Sequence, residues 1–355
     1  MTSPVRAAEA DQASTAFHLA LTQLGVATIG DALTLWAGVP PTRTAALSAA
    51  WLRRAIHLVM TRRARGRDLA MAYYRLVRAL RTGTTVADPR RPDPPYVTLG
   101  MLRNEFAALT GPAPAAPAPA ADDAAPRTAA DVPALDGGRA GDDDDDRILV
   151  EQLDALDRDL ERLEQAAEKE ARIALEELGP RNLDRKLADI DTSQPAELVD
   201  DLRDDAHRRA GTRQAATAER LVMNGARSTM WSAAERDRRA IGYIRLSRTG
   251  TPCGWCAMLI SRGPVYRSQR SAEYADGDRY HDNCHCYAEP VFDRGQYASS
   301  RLYALNREYQ ELWPKVTKGL SGKAALRAWR RFIRQQQADA REALPARTAQ
   351  EAQAP

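Results

Sequence analysis

Thr251-Pro-Cys-Gly-Trp-Cys256 and Tyr280-His-Asp-Asn-Cys-His-Cys286 together hold all four cysteines and two of the five histidines of a 355-residue chain. Crowding of that kind points to one shared task for sulfur and imidazole. C-x2-C after a tight turn is half of many structural zinc sites. Two thiolates at that spacing reach one ion, while Gly254 permits the turn and frees amide N–H groups to bond the sulfurs. The second half reads H-x2-C-H-C. Zinc takes four ligands, and the window offers Cys253, Cys256, His281, Cys284, His285 and Cys286, so the spacing overdetermines the site. The leading set is Cys253, Cys256 and His281, completed by Cys284 or Cys286. In an extended chain residues 284 and 286 share a face and His285 points away, which makes His285 the least suitable ligand. A closed complement of Cys and His leaves no position for water, so the ion, Zn2+, is read as structural rather than catalytic.

Other uses of these residues were weighed. Two disulfides would need an oxidising setting. The opening MTSPVRAAEADQAS has no apolar h-region, so no secretory signal is read. No run of about 18 apolar residues appears, so no membrane span is read either. A reducing compartment favours metal. Pro252-Cys-Gly-Trp-Cys256 also matches half of a zinc deaminase, but the nearby upstream histidine, His207, is followed by arginines and not by the needed glutamate. A His-Asn-His nuclease would use His281, Asn283 and His285, yet the longer ββα segment before its second metal ligands is missing.

Around the window the chain reads as mostly helical: mainly α, with a small α+β zinc-stabilised module. Low aromatic content with high alanine and charge favours several helices over one large globule. Residues 1–110 form a helical region. One apolar stripe runs through Ala46, Trp51, Leu52, Ile56, Leu58 and Val59, and a second through Tyr73, Tyr74, Leu76, Val77 and Leu80. The basic RRARGR (62–67) reads as a solvated helix end. Residues 111–147, with alternating Pro and Ala and five consecutive aspartates, read as a linker. Residues 148–240 read as a helical body. Leu149, Leu153, Leu156, Leu160 and Leu163 make a short heptad seam, suited to a coiled coil or a helix hairpin. A second helix starts near Ser193-Gln-Pro195, with Ser193 as cap and breaks at Gly211 and Gly225. Residues 241–298 form the Cys/His metal-binding module, with strands at 241–247, 264–266 and 286–292. Residues 299–355 are basic helices whose tail, after about Leu344, reads as disordered.

The charge is +3, but only five of the 51 basic residues are lysines (169, 186, 315, 318 and 323), leaving 46 arginines. Arginine is the bidentate phosphate binder. Lysine is scarce everywhere, however, so a GC-rich coding sequence accounts for the bias without nucleic acid.

The order YIRLSRTG, PCGWCAML, SRGPVY, RYHDNCHC and a strand ending PVF resembles the Mu F-like minor head protein of tailed phages, in the form found in phages and prophages of high-GC Gram-positive hosts. The likeness is close over 240–292 and looser over 148–240. It implies that Cys253, Cys256, His281, Cys284 and Cys286 occupy the family's Cys/His positions and Arg245 its strand arginine. It implies a head-morphogenesis protein that binds portal or capsid proteins and is packaged in the virion, the phage head interior, after assembly in the host cytoplasm. Some members carry a protease or an ADP-ribosyltransferase-like domain; the stretch after Cys286 is too short for either, so no enzyme is expected. Nor is a membrane or a small-molecule substrate. The basic C-terminal helices are expected to contact packaged DNA. The competing readings are a metal-dependent nuclease or toxin-type enzyme, and a zinc-knuckle module that binds nucleic acid.

Overall fold

Ser3 accepts a hydrogen bond from the Arg6 amide at 3.3 Å, and Pro4 fills the first helical position. That pair starts a helix because it satisfies an orphan amide and supplies the helical φ in advance. The result is α1 (Pro4–Ala37), followed by α2 (Ala45–Thr82), which Thr44 caps and Gly83 closes in the left-handed conformation. The computed structural model describes residues 3–111, 147–247, 252–264, 284 and 286–351. After α2 come β1 (Thr84–Val86), β2 (Tyr96–Thr98), α3 (Leu99–Thr110), β3 (Arg147–Glu151), α4 (Leu156–Leu178), α5 (Pro180–Ala188) and α6 (Ala196–Arg236). The C-terminal part holds β4 (Gly242–Leu246), α7 (Gly254–Ile260), β5 (Tyr287–Val291), α8 (Arg294–Ser299), α9 (Ala304–Val316) and α10 (Gly322–Glu351).

Helices α1, α2, α4 and α6 pack on one another as a bundle. Both apolar stripes of the 45–82 region lie on the single helix α2, and Trp51, Tyr73, Tyr74, Val77 and Leu80 are buried there. Each fully buried aliphatic side chain contributes about 1.5–3 kcal/mol. Among the described helices, α1 alone is long and apolar enough to cross a bilayer by length and composition. Here its Phe17, Leu21 and Leu24 are buried in the bundle core.

Helix α6 runs unbroken through Gly211 and Gly225, contrary to the breaks expected there. Both glycines serve close approach. A Cβ on Gly211 would lie 2.4 Å from the Trp36 ring, and one on Gly225 would lie 2.6 Å from Arg63 Cγ and 2.8 Å from the Arg63 carbonyl oxygen. The helix starts at Ala196 behind Pro195 with no side-chain cap, and the Ser193 hydroxyl bonds Asp191 instead. Arg63 likewise corrects the solvated-end reading of 62–67. It is buried at the α2–α6 crossing, where it donates to Glu164 (2.9 Å) and to the Leu221 carbonyl (2.7 Å).

The leucine seam is displaced as well. Leu149 lies in β3 and Leu153 precedes α4, so neither belongs to a helical stripe. The stripe that forms is Leu156, Leu160, Ala167, Ala171 and Leu175, and it packs inside the chain against α6 and α2. Strand β3 inserts between β1, to which it is parallel, and β2, to which it is antiparallel. Buried Arg78 fastens this sheet to the bundle: it donates to Asp237 (2.6 and 3.2 Å), Glu151 (2.6 Å) and the Thr85 carbonyl (3.0 Å). The two salt bridges to Arg78 and Arg239 help to hold the Glu151 carboxyl at about 2, against the opposing effect of burial.

Strands β4 and β5 pair antiparallel, with Arg245 opposite Ala288 and Ile244 opposite Glu289, as the strand readings at 241–247 and 286–292 anticipate. Residues 265 and 266 of the third expected strand lie outside the described residues, as do 112–146 of the expected linker. All ten residues of β4 and β5 are buried, and their core is continuous with the bundle's. The module is therefore not a small unit that lacks a core. At the other end, α10 continues to Glu351, past the expected limit near Leu344.

The crossing at Gly225 gives a signed prediction. In an unhindered helix Gly→Ala stabilises by up to about 1 kcal/mol. Gly225→Ala should instead destabilise by roughly 1–3 kcal/mol, because the Arg63 backbone cannot yield cheaply. Urea denaturation reads the sign, and a stabilised variant would contradict the tight crossing.

Candidate metal centre

Cys253 precedes α7, and its sulfur accepts the Cys256 amide at 3.3 Å, as the C-x2-C turn requires. That bond caps a helix which points Cys256 inward. From the other side, the chain entering β5 brings Cys284 and Cys286. The sulfurs of Cys256, Cys284 and Cys286 lie within 4.8 Å of one another, and Cys256 and Cys284 are 3.4 Å apart. None of the four cysteines is in a disulfide. A disulfide needs about 2.05 Å between sulfurs, whereas metal–sulfur bonds of about 2.3 Å in a tetrahedron put them roughly 3.8 Å apart. The observed spacing is nearer the second. The three are 1%, 7% and 3% exposed for Cys256, Cys284 and Cys286.

Residues 284 and 286 do share a face, so both join the cluster where only one was needed to complete the leading set. His281 and His285 lie outside the described residues, as does Asn283 of the nuclease reading. His207 of the deaminase reading stacks on Trp36 and bonds the Val39 carbonyl at 2.7 Å, at the end of the bundle.

Two buried arginines embrace the cluster. Arg245, in β4, directs its Nη1 at the Cys256 sulfur at 3.8 Å. Arg227, in α6, donates to the Cys286 carbonyl at 2.9 Å and to the Cys284 carbonyl, and to Asn224 Oδ1 at 3.1 Å. Asn306 of α9 bonds the Arg245 carbonyl (3.0 Å) and the Ile260 carbonyl (3.2 Å), so strand, helix and loop are held in one register. Hydrogen bonds from Cys256 and Cys286, and then the charges of Arg227 and Arg245, hold the Cys284 thiol well below its ordinary range. The Cys256 thiol is pushed up, by its bonds to Cys253, Cys284 and Cys286 before burial. A dication would let the three clustered thiols ionise beside the two buried guanidiniums. The donor set thus fits a soft divalent ion. Arg227 escaped the sequence reading; its signal is a lone charge among Ala226, Met230 and Trp231 on a face that is otherwise buried.

Gly254 has a different reason from the turn geometry anticipated for it. Its φ is not positive. A Cβ there would lie 2.9 Å from Arg330 Cγ and 3.1 Å from Arg330 Cα, so glycine allows α10 to press on the C-x2-C turn.

Beyond the sulfurs, β5 carries Glu289 into the bundle. Tyr73 donates to it at 2.7 and 2.9 Å and Ser14 at 3.1 Å. Burial pushes its carboxyl up to about 8, against the pull of those bonds and of Arg81. The folded state therefore binds a proton that the unfolded state releases above its ordinary value of 4.5. Stability from this group is fully present below about pH 4.5 and is lost as pH rises through about 8, by at most about 1.4 kcal/mol per unit. Wild type compared with Glu289→Gln in urea should show that slope. A difference independent of pH would contradict it.

Residues 161–312 match the model of a family described as VG15 protein, a viral protein family. That span contains α6, both strands and all four cysteines. No curated protein and no solved structure matches the chain.

Proposed function

We propose that this chain is a minor head protein of a tailed phage or prophage, of the Mu F-like type, with one structural zinc ion pinning the β4–β5 module to the bundle. The observation that carries this reading is the buried sulfur cluster inside the span that matches a viral family. Cys256, Cys284 and Cys286 hold the ion, and Cys253 supplies the fourth thiolate. The ion would supply a charge that lets four sulfurs, three of them buried, ionise together; the residues around it only position and neutralise. Arg227 and Arg245 balance the net charge, and Asn306 keeps β4 in place.

A structural role, not an enzymatic one, is supported by the burial of the three clustered cysteines. The bundle is the part that binds portal or capsid proteins, and the protein travels in the phage head after assembly in the host cytoplasm. Because the module's core is continuous with the bundle's, metal removal loosens the module without melting the helices.

Elemental analysis of the reduced, purified chain should find one zinc per molecule. Cys253→Ser and Cys256→Ser should each abolish it and lower the melting temperature, while the helical circular dichroism persists. His281→Ala should keep the zinc. Loss of zinc in that variant, with retention in Cys253→Ser, would transfer the fourth position to the imidazole. An absence of zinc from the parent chain would overturn the reading.

A further inference from the structure

Most arginines of the bundle have carboxylate partners, as Arg63, Arg75, Arg78 and Arg81 illustrate. Helix α10 differs. Arg327, Arg330, Arg331 and Arg334 are exposed, and their spacing places them on one stripe. Among the described residues none of the four has an ion-pair partner, and Arg334 Nε bonds only the Arg330 carbonyl, at 3.2 Å. Like charges at that spacing repel, so a helix that keeps them together is poised for an anion.

The stripe forms one wall of a cavity of about 630 Å³. The opposite wall is Cys253-Gly254-Trp255, and among the described residues no carboxylate lines the space. Two features hold the walls together: the close contact of Gly254 with Arg330, and a bond from Gln337 Nε2 to the Pro252 carbonyl at 3.0 Å. Half-buried Trp255 thereby stands beside the guanidiniums.

We propose that this cavity binds the phosphodiester backbone of nucleic acid. Guanidinium forks match phosphate oxygens two at a time. From Arg327 to Arg334 the stripe is about 10 Å long, which spans roughly six charges of a duplex. The indole adds a face on which a base or sugar can rest, the combination found in strand-binding grooves. This goes beyond the head-protein reading and does not need the metal, although the same C-x2-C turn carries one wall of the cavity and two of the thiols.

The test measures fluorescence anisotropy of the full chain with a labelled duplex of about 20 base pairs and with one of its strands, at low and moderate salt. The Arg327→Glu/Arg331→Glu variant should weaken binding at least tenfold and flatten its salt dependence. The same charge change in Arg53→Glu/Arg54→Glu, on α2, should leave it unaltered. If Trp255→Ala weakens only the single strand, the ligand is unpaired; if it changes neither, the duplex backbone suffices. Circular dichroism and zinc content are read on every variant, and Arg331→Gln/Arg334→Gln replaces the glutamate pair should that pair fail to fold. The proposal is overturned by parental affinity in the α10 variants, by equal loss in the α2 control, or by no binding at low salt. Equal competition by poly-glutamate at matched charge would assign the cavity to an acidic protein instead. A zinc-free chain that still binds through the stripe would sink the metal reading and leave this one standing.

Discussion

Sulfur packed against buried guanidinium is the constraint on which the C-terminal half is built. Three thiols converge from α7 and from the entry to β5; Arg245 of β4 points at the Cys256 sulfur, and Arg227 of α6 donates to the Cys284 and Cys286 carbonyls. Burying two cations costs several kcal/mol each unless anions face them. The three thiols lie where helix, strand and loop meet, and a dication held by them as thiolates would supply that balance. The arginines and cysteines explain each other. Both guanidiniums lie in a core that also holds Ile244, Leu259 and Val291.

The same logic of paired burial runs through the bundle. Arg78 binds Asp237 and Glu151, and so ties α2 to the strand that follows residues 112–146 and to the turn that leads into β4. Glu289 reverses the roles: a carboxyl carried by β5 is received by Ser14 of α1 and Tyr73 of α2. Through these contacts the cysteine-bearing region and the N-terminal helices share a single core. The apolar residues fill that core, while the buried polar groups fix the register in which the elements meet.

How much of this could be read from the chain depended on the range of the interaction. C-x2-C is a local motif, and its capping bond from the Cys256 amide formed as anticipated. The alternation that puts residues 284 and 286 on one face is equally local and also held. Period-two patterning located β4 and β5. What failed was whatever a distant partner decides. Gly211 and Gly225 look like helix breakers until Trp36 and Arg63 are seen pressed against them. Leu149 fits a heptad arithmetically, yet β1 and β2 recruit it into a sheet. Arg63 read as a surface charge, and Arg227 went unread, because their acceptors lie far away in sequence.

X-ray absorption at the zinc edge on the purified, reduced chain tests the central claim most directly. The account predicts a first shell of four sulfurs at about 2.3 Å, with no light-atom neighbour. A shell dominated by nitrogen and oxygen, or no zinc edge at all, would contradict it.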